Sequence, residues 1–257
     1  MNLFDDFGPE YDEMIKWDAR LKNEEPFFQK LFAEHQVERV LDLGCGTGLH
    51  VIMFAGWGIQ VVGTDPSQTM IEQARHNLAD KGDAALKAEF VVASFQDFPR
   101  RVTDTFDAVV VLGNSLPHIL GENELADCLV GISQVLNESG ILIIQNRNYD
   151  KVLESRERFM GLNSHGSGEE EKLFLRFMDF NQDLIQFNIV TMQRQQGKWN
   201  YQVLSNTLRP IRKAELELAL FRAGLHRVNC FGDYQEKPFE EANSNDLIVI
   251  AVKTGVE

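Results

Sequence analysis

Residues 40–48 read Val-Leu-Asp-Leu-Gly-Cys-Gly-Thr-Gly, and this stretch constrains what the rest of the chain can be. An apolar run stops at an acid, Asp42, and glycines follow at alternate positions, Gly44, Gly46 and Gly48. A helix-like pattern begins at Leu49. Strand, tight turn and helix N-terminus in that order are how a doubly wound α/β sheet makes a nucleotide site. Glycine tolerates positive φ and has no Cβ, so a ligand can lie against such a turn. Cys45 suits the turn as a small side chain and needs no special reactivity to be there.

The spacing narrows the ligand. A dinucleotide fingerprint places its third glycine three residues after the second, whereas Gly46 and Gly48 are two apart. A pyrophosphate also wants a helix N-terminus aimed at it, while an acid at the strand end attracts a cation. S-adenosylmethionine carries an ammonium and a sulfonium and no phosphate, and meets that requirement; a purely structural turn is the alternative. Asp65 ends the next apolar run, 21 residues after Gly44. From there a carboxylate can accept both ribose hydroxyls; standing before Pro66, it also suits a turn. Met70 packs either on adenine or in the core. Phe95 suits stacking on adenine or lining its slot, with Ser94 or a nearby backbone N–H at the ring edge.

From Val37 strands and helices alternate. Strands are expected at 39–43, 60–64, 88–93, 106–112 and 141–146, with helices at 49–57, 67–81 and 122–136. Ser67 is placed to cap its helix, whose Met70, Ile71, Ala74 and Leu78 share one face. Residues 137–140 read as a turn. This alternation specifies a mostly parallel sheet with helices on both faces. The pattern then breaks. The glycine-rich stretch 161–168 reads as a mobile loop, either a gate or an ordinary connection. Three β-like runs follow at 172–180, 184–194 and 199–209, an antiparallel meander inserted as a cap. A helix at 213–223 and strands at 226–231 and 247–253 complete a seven-stranded sheet. The expected organisation is an N-terminal helical arm (1–36), a Rossmann-like core (37–150 and 210–257) and a cap (151–209). In the arm, Phe4, Phe7, Tyr11, Trp17, Phe27, Phe28 and Phe32 pack on the core, or Tyr11, Trp17 and Arg20 reach over the ligand. Pro26 suits the first turn of a second helix ending near His35.

Two further strand ends carry polar residues. Gly113-Asn114-Ser115 follows the fourth strand, at the carboxyl-end position where ligands of open α/β sheets sit. His118, close behind, is either catalytic or a solvated or capping histidine. The fifth strand ends in Gln145-Asn146-Arg147-Asn148-Tyr149-Asp150. An arginine facing a cleft there is either a bidentate clamp on a substrate carboxylate or the partner of Asp150. No set of His, Cys and carboxylates has metal spacing, so no metal is expected.

A formal net charge of −14 over 257 residues opposes nucleic acid and anionic lipid as partners. The opening Met-Asn-Leu-Phe-Asp-Asp-Phe is acidic and does not read as a signal peptide, and apolar runs are strand-length, too short to span a membrane. Cys45, Cys128 and Cys230 are odd in number and far apart, as reduced thiols of a cytoplasmic protein would be. A monomer and a homo-oligomer fit equally.

Residues 40–112 resemble the class I S-adenosylmethionine-dependent methyltransferases through the glycine loop and Asp65. The run from Phe106-Asp107-Ala108-Val109 through Leu112-Gly113-Asn114-Ser115 to His118 is similar to the glycine/sarcosine N-methyltransferase family. So are Arg147-Asn148-Tyr149-Asp150 and Gly232-Asp233-Tyr234. The resemblance implies transfer of a methyl group from S-adenosylmethionine to a small amine. Arg147 would hold the acceptor carboxylate, and Asn114 with the Gly113 carbonyl would orient the amine. Asp65 would hold the ribose and Arg20 the donor carboxylate. Ala93-Ser94-Phe95 takes the place of an Ala-Asn-Trp adenine segment, and Asp42, Cys45, Pro66, Met70 and Leu112 complete the donor set. Water, Tyr11 or His118 would take the amine proton. Phe95 replaces a tryptophan and Asn146 a histidine, and Phe174 and Phe177 in the cap suit a larger or less polar amine than glycine. O- or carboxyl-methylation of another metabolite, and donor binding without catalysis, are the competing functions.

Overall fold

The computed structural model describes residue 7 and residues 10–254. Phe4 and most of the acidic opening lie outside the described residues. Strand β1 (Arg39–Leu43) is buried beyond its first residue, which is why its sequence runs apolar instead of alternating. It pairs in parallel with β2 (Gln60–Asp65) on one side and β4 (Phe106–Val111) on the other. β3 (Ala88–Val92) lies beyond β2, and β5 (Leu136–Arg147) beyond β4. The last strand, β11 (Asp246–Lys253), runs antiparallel to β5, and β10 (Leu225–Phe231) closes the far edge. The order 10-11-5-4-1-2-3 makes one seven-stranded sheet. The strand order reverses at β1, and the crevice outside the carboxyl ends of β1 and β4 is where such a sheet binds ligands.

Helices cover both faces. The arm supplies α1 (Glu10–Met14) and α2 (Trp17–Glu34), and the core supplies α3 (Leu49–Ala55) and α4 (Gln68–Asp80). Phe28, Phe54 and Ile71 of this layer pack on Val40, Val61 and Ile143. A short α5 (Phe98–Arg101) precedes β4. On the opposite face, α6 (Glu122–Val135) sets Leu129 and Ile132 on Val109 and Leu142. Each side chain fully buried in these layers contributes roughly 1.5–3 kcal/mol. Ser67 caps α4 as its position predicts, accepting from the Met70 N–H at 3.2 Å.

Several elements differ from the sequence reading. Pro26 does not begin a helix but lies inside α2, which runs unbroken from Trp17 to Glu34. The aromatic packing of Phe27, Phe28 and Phe32 holds the helix through it. Residues 137–140 are a bulge rather than a turn: Leu136 already pairs with Phe106 and Ile141 with Ala108, with Ser139 at φ +64° between them. An unanticipated helix α7 (Tyr149–Ser155) follows β5, capped by the Asn148 side chain. The stretch 161–168 is tied down in part, because it holds β6 (Asn163–His165) and Asn163 donates to the Met14 carbonyl of the arm.

β6 begins a second sheet with β7 (Lys172–Asn181), β8 (Leu184–Gln195) and β9 (Lys198–Leu208), antiparallel throughout. Side chains alternate along β7. Phe174 packs on Phe7 and Met14 of the arm, and Met178 on Tyr149 of the core. Arg176 stands between those two in the row that faces the molecule. After β9, α8 (Lys213–Arg222) returns to the core and packs Leu216 and Leu220 in the α6 layer.

Candidate active site

The glycine loop is held by its own backbone. The N–H groups of Gly44 and Cys45 both donate to the Thr64 carbonyl, at 2.7 and 2.9 Å. Gly44, Gly46 and Gly48 all have positive φ, so this path suits glycine at each. Asp65 accepts from the Gly46 N–H through one carboxylate oxygen and from the Ser67 N–H through the other. Thus the acid at the end of β2 fixes the loop after β1.

Three adjoining cavities open along this rim and share Tyr11 and Gly113. One of about 460 Å³ is lined by Gly44, Gly46, Asp65, Pro66, Met70, Ser94 and Phe95. A second, of about 30 Å³, is lined by Arg20, Asp42, Cys45 and Leu112. Asp42 there is buried, and neither carboxylate oxygen has a hydrogen-bond partner among the described residues. Burial, and then the nearby Asp65, push its pKa up to about 7. A buried acid without a partner is costly unless a cation completes it. Arg20 donates to Glu24 at 2.8 Å, and Glu24 meets His50 Nε2 at 2.6 Å. Burial works against the Glu24 charge, but the bonds from His50 and Arg20 outweigh it and its pKa falls.

The third cavity, of about 530 Å³, lies between the arm, the strand ends and the cap. Tyr11, Asn114, His118 and Arg147 all line it. Arg147 is not the partner of Asp150, whose carboxylate accepts from the Lys213 N–H and faces Arg212. The Arg147 guanidinium instead meets the Met160 sulfur at 3.0 Å, with no ion pair to it among the described residues. The Asn114 side chain is committed to positioning: its Oδ1 accepts from the Arg147 N–H and its Nδ2 donates to the Tyr149 hydroxyl, both at 3.0 Å. His118 Nδ1 lies 3.1 Å from Asn206 Nδ2, and burial lowers its pKa to about 4. Burial pushes the Tyr11 hydroxyl up. Both groups are thus mismatched to accepting an amine proton near neutrality.

Some sequence-derived roles shift. Gly48 lines none of the three cavities; a Cβ there would meet the Phe90 ring at 2.7 Å, so its smallness serves packing. The Ser94 hydroxyl and N–H are both given to Asp97, at 2.7 and 2.5 Å, which takes them from an adenine edge. Phe174 and Phe177 do not line the third cavity: the first faces the arm and the second Phe159. Its apolar wall is Met14, Ile15, Phe187, Ile189 and Leu208. Residues to which the sequence reading gave no role include Glu24, Arg176 and Asp246, all lining this cavity, while Gln145 and Tyr234, read only as parts of motifs, line it too. Gln145 accepts from the Gly113 N–H at 2.8 Å and donates to Asp246 at 2.9 Å. The strand alternation of β7 was the available signal for Arg176.

A family model described as a methyltransferase domain matches residues 40–140. A glycine/sarcosine N-methyltransferase from Aphanothece halophytica is 31% identical over 231 residues, covering 90% of this chain and 82% of that protein. Human glycine N-methyltransferase is 34% identical over 136 residues, 48% of this chain and 45% of that one. Among solved structures, an S-adenosylmethionine-dependent methyltransferase from Clostridium acetobutylicum shares the fold, with a TM-score of 0.81 at 20% identity, over 99% of this chain and 100% of that one. The chain therefore belongs to the glycine/sarcosine N-methyltransferase family of S-adenosylmethionine-dependent methyltransferases.

Proposed function

We propose that the enzyme N-methylates a small carboxylated amine of the glycine or sarcosine type. The observation that carries this is Arg147, a cavity-lining guanidinium with no ion pair among the described residues, beside the strand end that bears Gly113. A guanidinium takes a carboxylate in a two-point grip. When bound, S-adenosylmethionine supplies a methyl group activated by its sulfonium.

The chain's residues supply place and orientation. Asp42 holds the donor ammonium, for which its unpartnered carboxylate is suited. Arg20 faces the donor carboxylate, Asp65 the ribose, and Met70 and Phe95 the adenine. Asn114 fixes the Arg147 backbone and so the acceptor's anchor. A neutral amine anchored by Arg147 would take the methyl carbon from the sulfur, and S-adenosylhomocysteine would leave. Holding three atoms in line can lower the barrier by up to roughly 7–11 kcal/mol. The arm and cap wall the cavity on two sides. A cytoplasmic location suits the free cysteines, of which Cys45 and Cys128 are buried; among the described residues no helix is long and apolar enough to cross a membrane.

The test is S-adenosylhomocysteine release with a panel of amines. Glycine or sarcosine should turn over, and Arg147→Ala should raise their KM by tenfold or more, on the order of a lost charged hydrogen bond. Background rates with both, beside turnover of an uncharged amine, would refute the acceptor assignment and leave the methyltransferase intact.

A further inference from the structure

The acceptor cavity contains a second arginine that the reaction has not yet used. Arg176 lies on the inward row of β7, directly between the apolar Phe174 and Met178. It lines the same cavity as Arg147 but enters from the cap, whereas Arg147 rises from the end of β5. Among the described residues its buried Nε has no hydrogen-bond partner, and no ion pair includes it. Burial first, and then the charge of Arg147, weaken its hold on its own proton.

The acids of the cavity do not serve it. Glu24 is taken by Arg20 and His50. Asp246 accepts from Gln145 and sits opposite Arg147 in the β5–β11 register. Two guanidinia thus share one chamber and only Arg147 has an acid beside it. A half-buried cation facing another cation is unfavourable unless an anion fills the gap. Both border the same chamber, and the charge of Arg147 is felt at Arg176.

Building on the acceptor reading above, we infer that Arg176 is a second carboxylate-binding residue, closing from the cap on the anionic group that Arg147 holds from the core. Specificity for carboxylated over neutral amines then resides in two arginines on different sheets.

Acetate, a carboxylate without an amine, probes this without turnover. Titrated into the wild-type enzyme saturated with S-adenosylhomocysteine, acetate should bind. Arg176→Gln should weaken it by about tenfold or more, and Arg176→Lys should recover part of the loss. S-adenosylhomocysteine affinity, measured on the same variants, should stay within about twofold. In turnover, Arg176→Gln should raise the glycine KM more than it changes kcat, and shrink the preference for glycine over glycinamide. No acetate binding by the loaded wild type, or equal binding by Arg176→Gln, overturns the inference. Failure of the acceptor reading looks different: glycine is then not methylated although acetate binding still depends on Arg176.

Discussion

The carboxylate of Asp12 accepts a 2.6 Å hydrogen bond from the Thr47 hydroxyl, which ties the N-terminal arm to the glycine loop. The same carboxylate takes Trp17 Nε1 at 2.8 Å and Asn77 Nδ2 at 3.2 Å. One acid thus fastens α1, α2, the loop and α4 together. Asp12→Ala should weaken donor binding by roughly tenfold, the size of a lost charge-assisted bond. Calorimetric titration with S-adenosylmethionine checks it, and an unchanged affinity would mean the arm is held elsewhere.

Asp42 predicts a pH dependence. Its pKa is raised by burial, and next by Asp65, from an ordinary value near 3.8 to about 7. An acid shifted this way binds more protons folded than unfolded between those values. The empty enzyme therefore loses stability as pH rises from about 4 to about 7. An ammonium beside it favours the carboxylate form, so donor affinity should increase over the upper part of that window and level off near pH 7. Asp42→Asn should weaken binding and flatten the profile. A wild-type dissociation constant that does not change between about pH 5.5 and 7 would count against the ammonium role.

Asn114 has φ +65°, which complicates the usual alanine test. Alanine would strain the backbone as well as remove the amide. Asn114→Gly keeps the conformation open and deletes only the bonds to Arg147 and Tyr149. It should lower kcat/KM by ten- to a hundredfold, with donor affinity near wild type, because a loosened anchor costs alignment. Donor affinity falling in parallel would assign Asn114 to the donor side.

Gly48→Ala should destabilise the fold by about 1–3 kcal/mol, read in urea unfolding. The new Cβ would lie 2.7 Å from the Phe90 ring and 2.9 Å from the Ala74 Cβ, at φ +78°. Adding Phe90→Leu should return part of the loss but not the part owed to backbone strain. Full recovery would show that the positive φ costs little here.

What could be read from the sequence was what is encoded locally. Gly44, Gly46 and Asp65 stand at fixed spacings on consecutive strand ends, and the strand–helix alternation placed them at one rim. Ser67 capping depends on residues three apart and was equally legible. Ser94 and Asp97 are also three apart, so the turn that consumes the Ser94 hydroxyl was open to the same reasoning. Arg147 could not be freed from Asp150 by sequence, because Asp150 is taken by the Lys213 N–H, 63 residues away. Asp246 reaches the cavity only because β11 runs backwards and its first residue lands beside the last of β5. Pro26 misled because a propensity penalty at one residue was smaller than the packing of three phenylalanines around it.

Tyr11 walls all three chambers of the cleft. If the arm settles when one chamber fills, the others are sealed or shaped by the same movement. Donor and acceptor affinities are then not independent constants. Whatever factor the donor adds to the hold on the amine, the amine must add to the hold on the donor. A measurement of either alone reports only half of a single thermodynamic square.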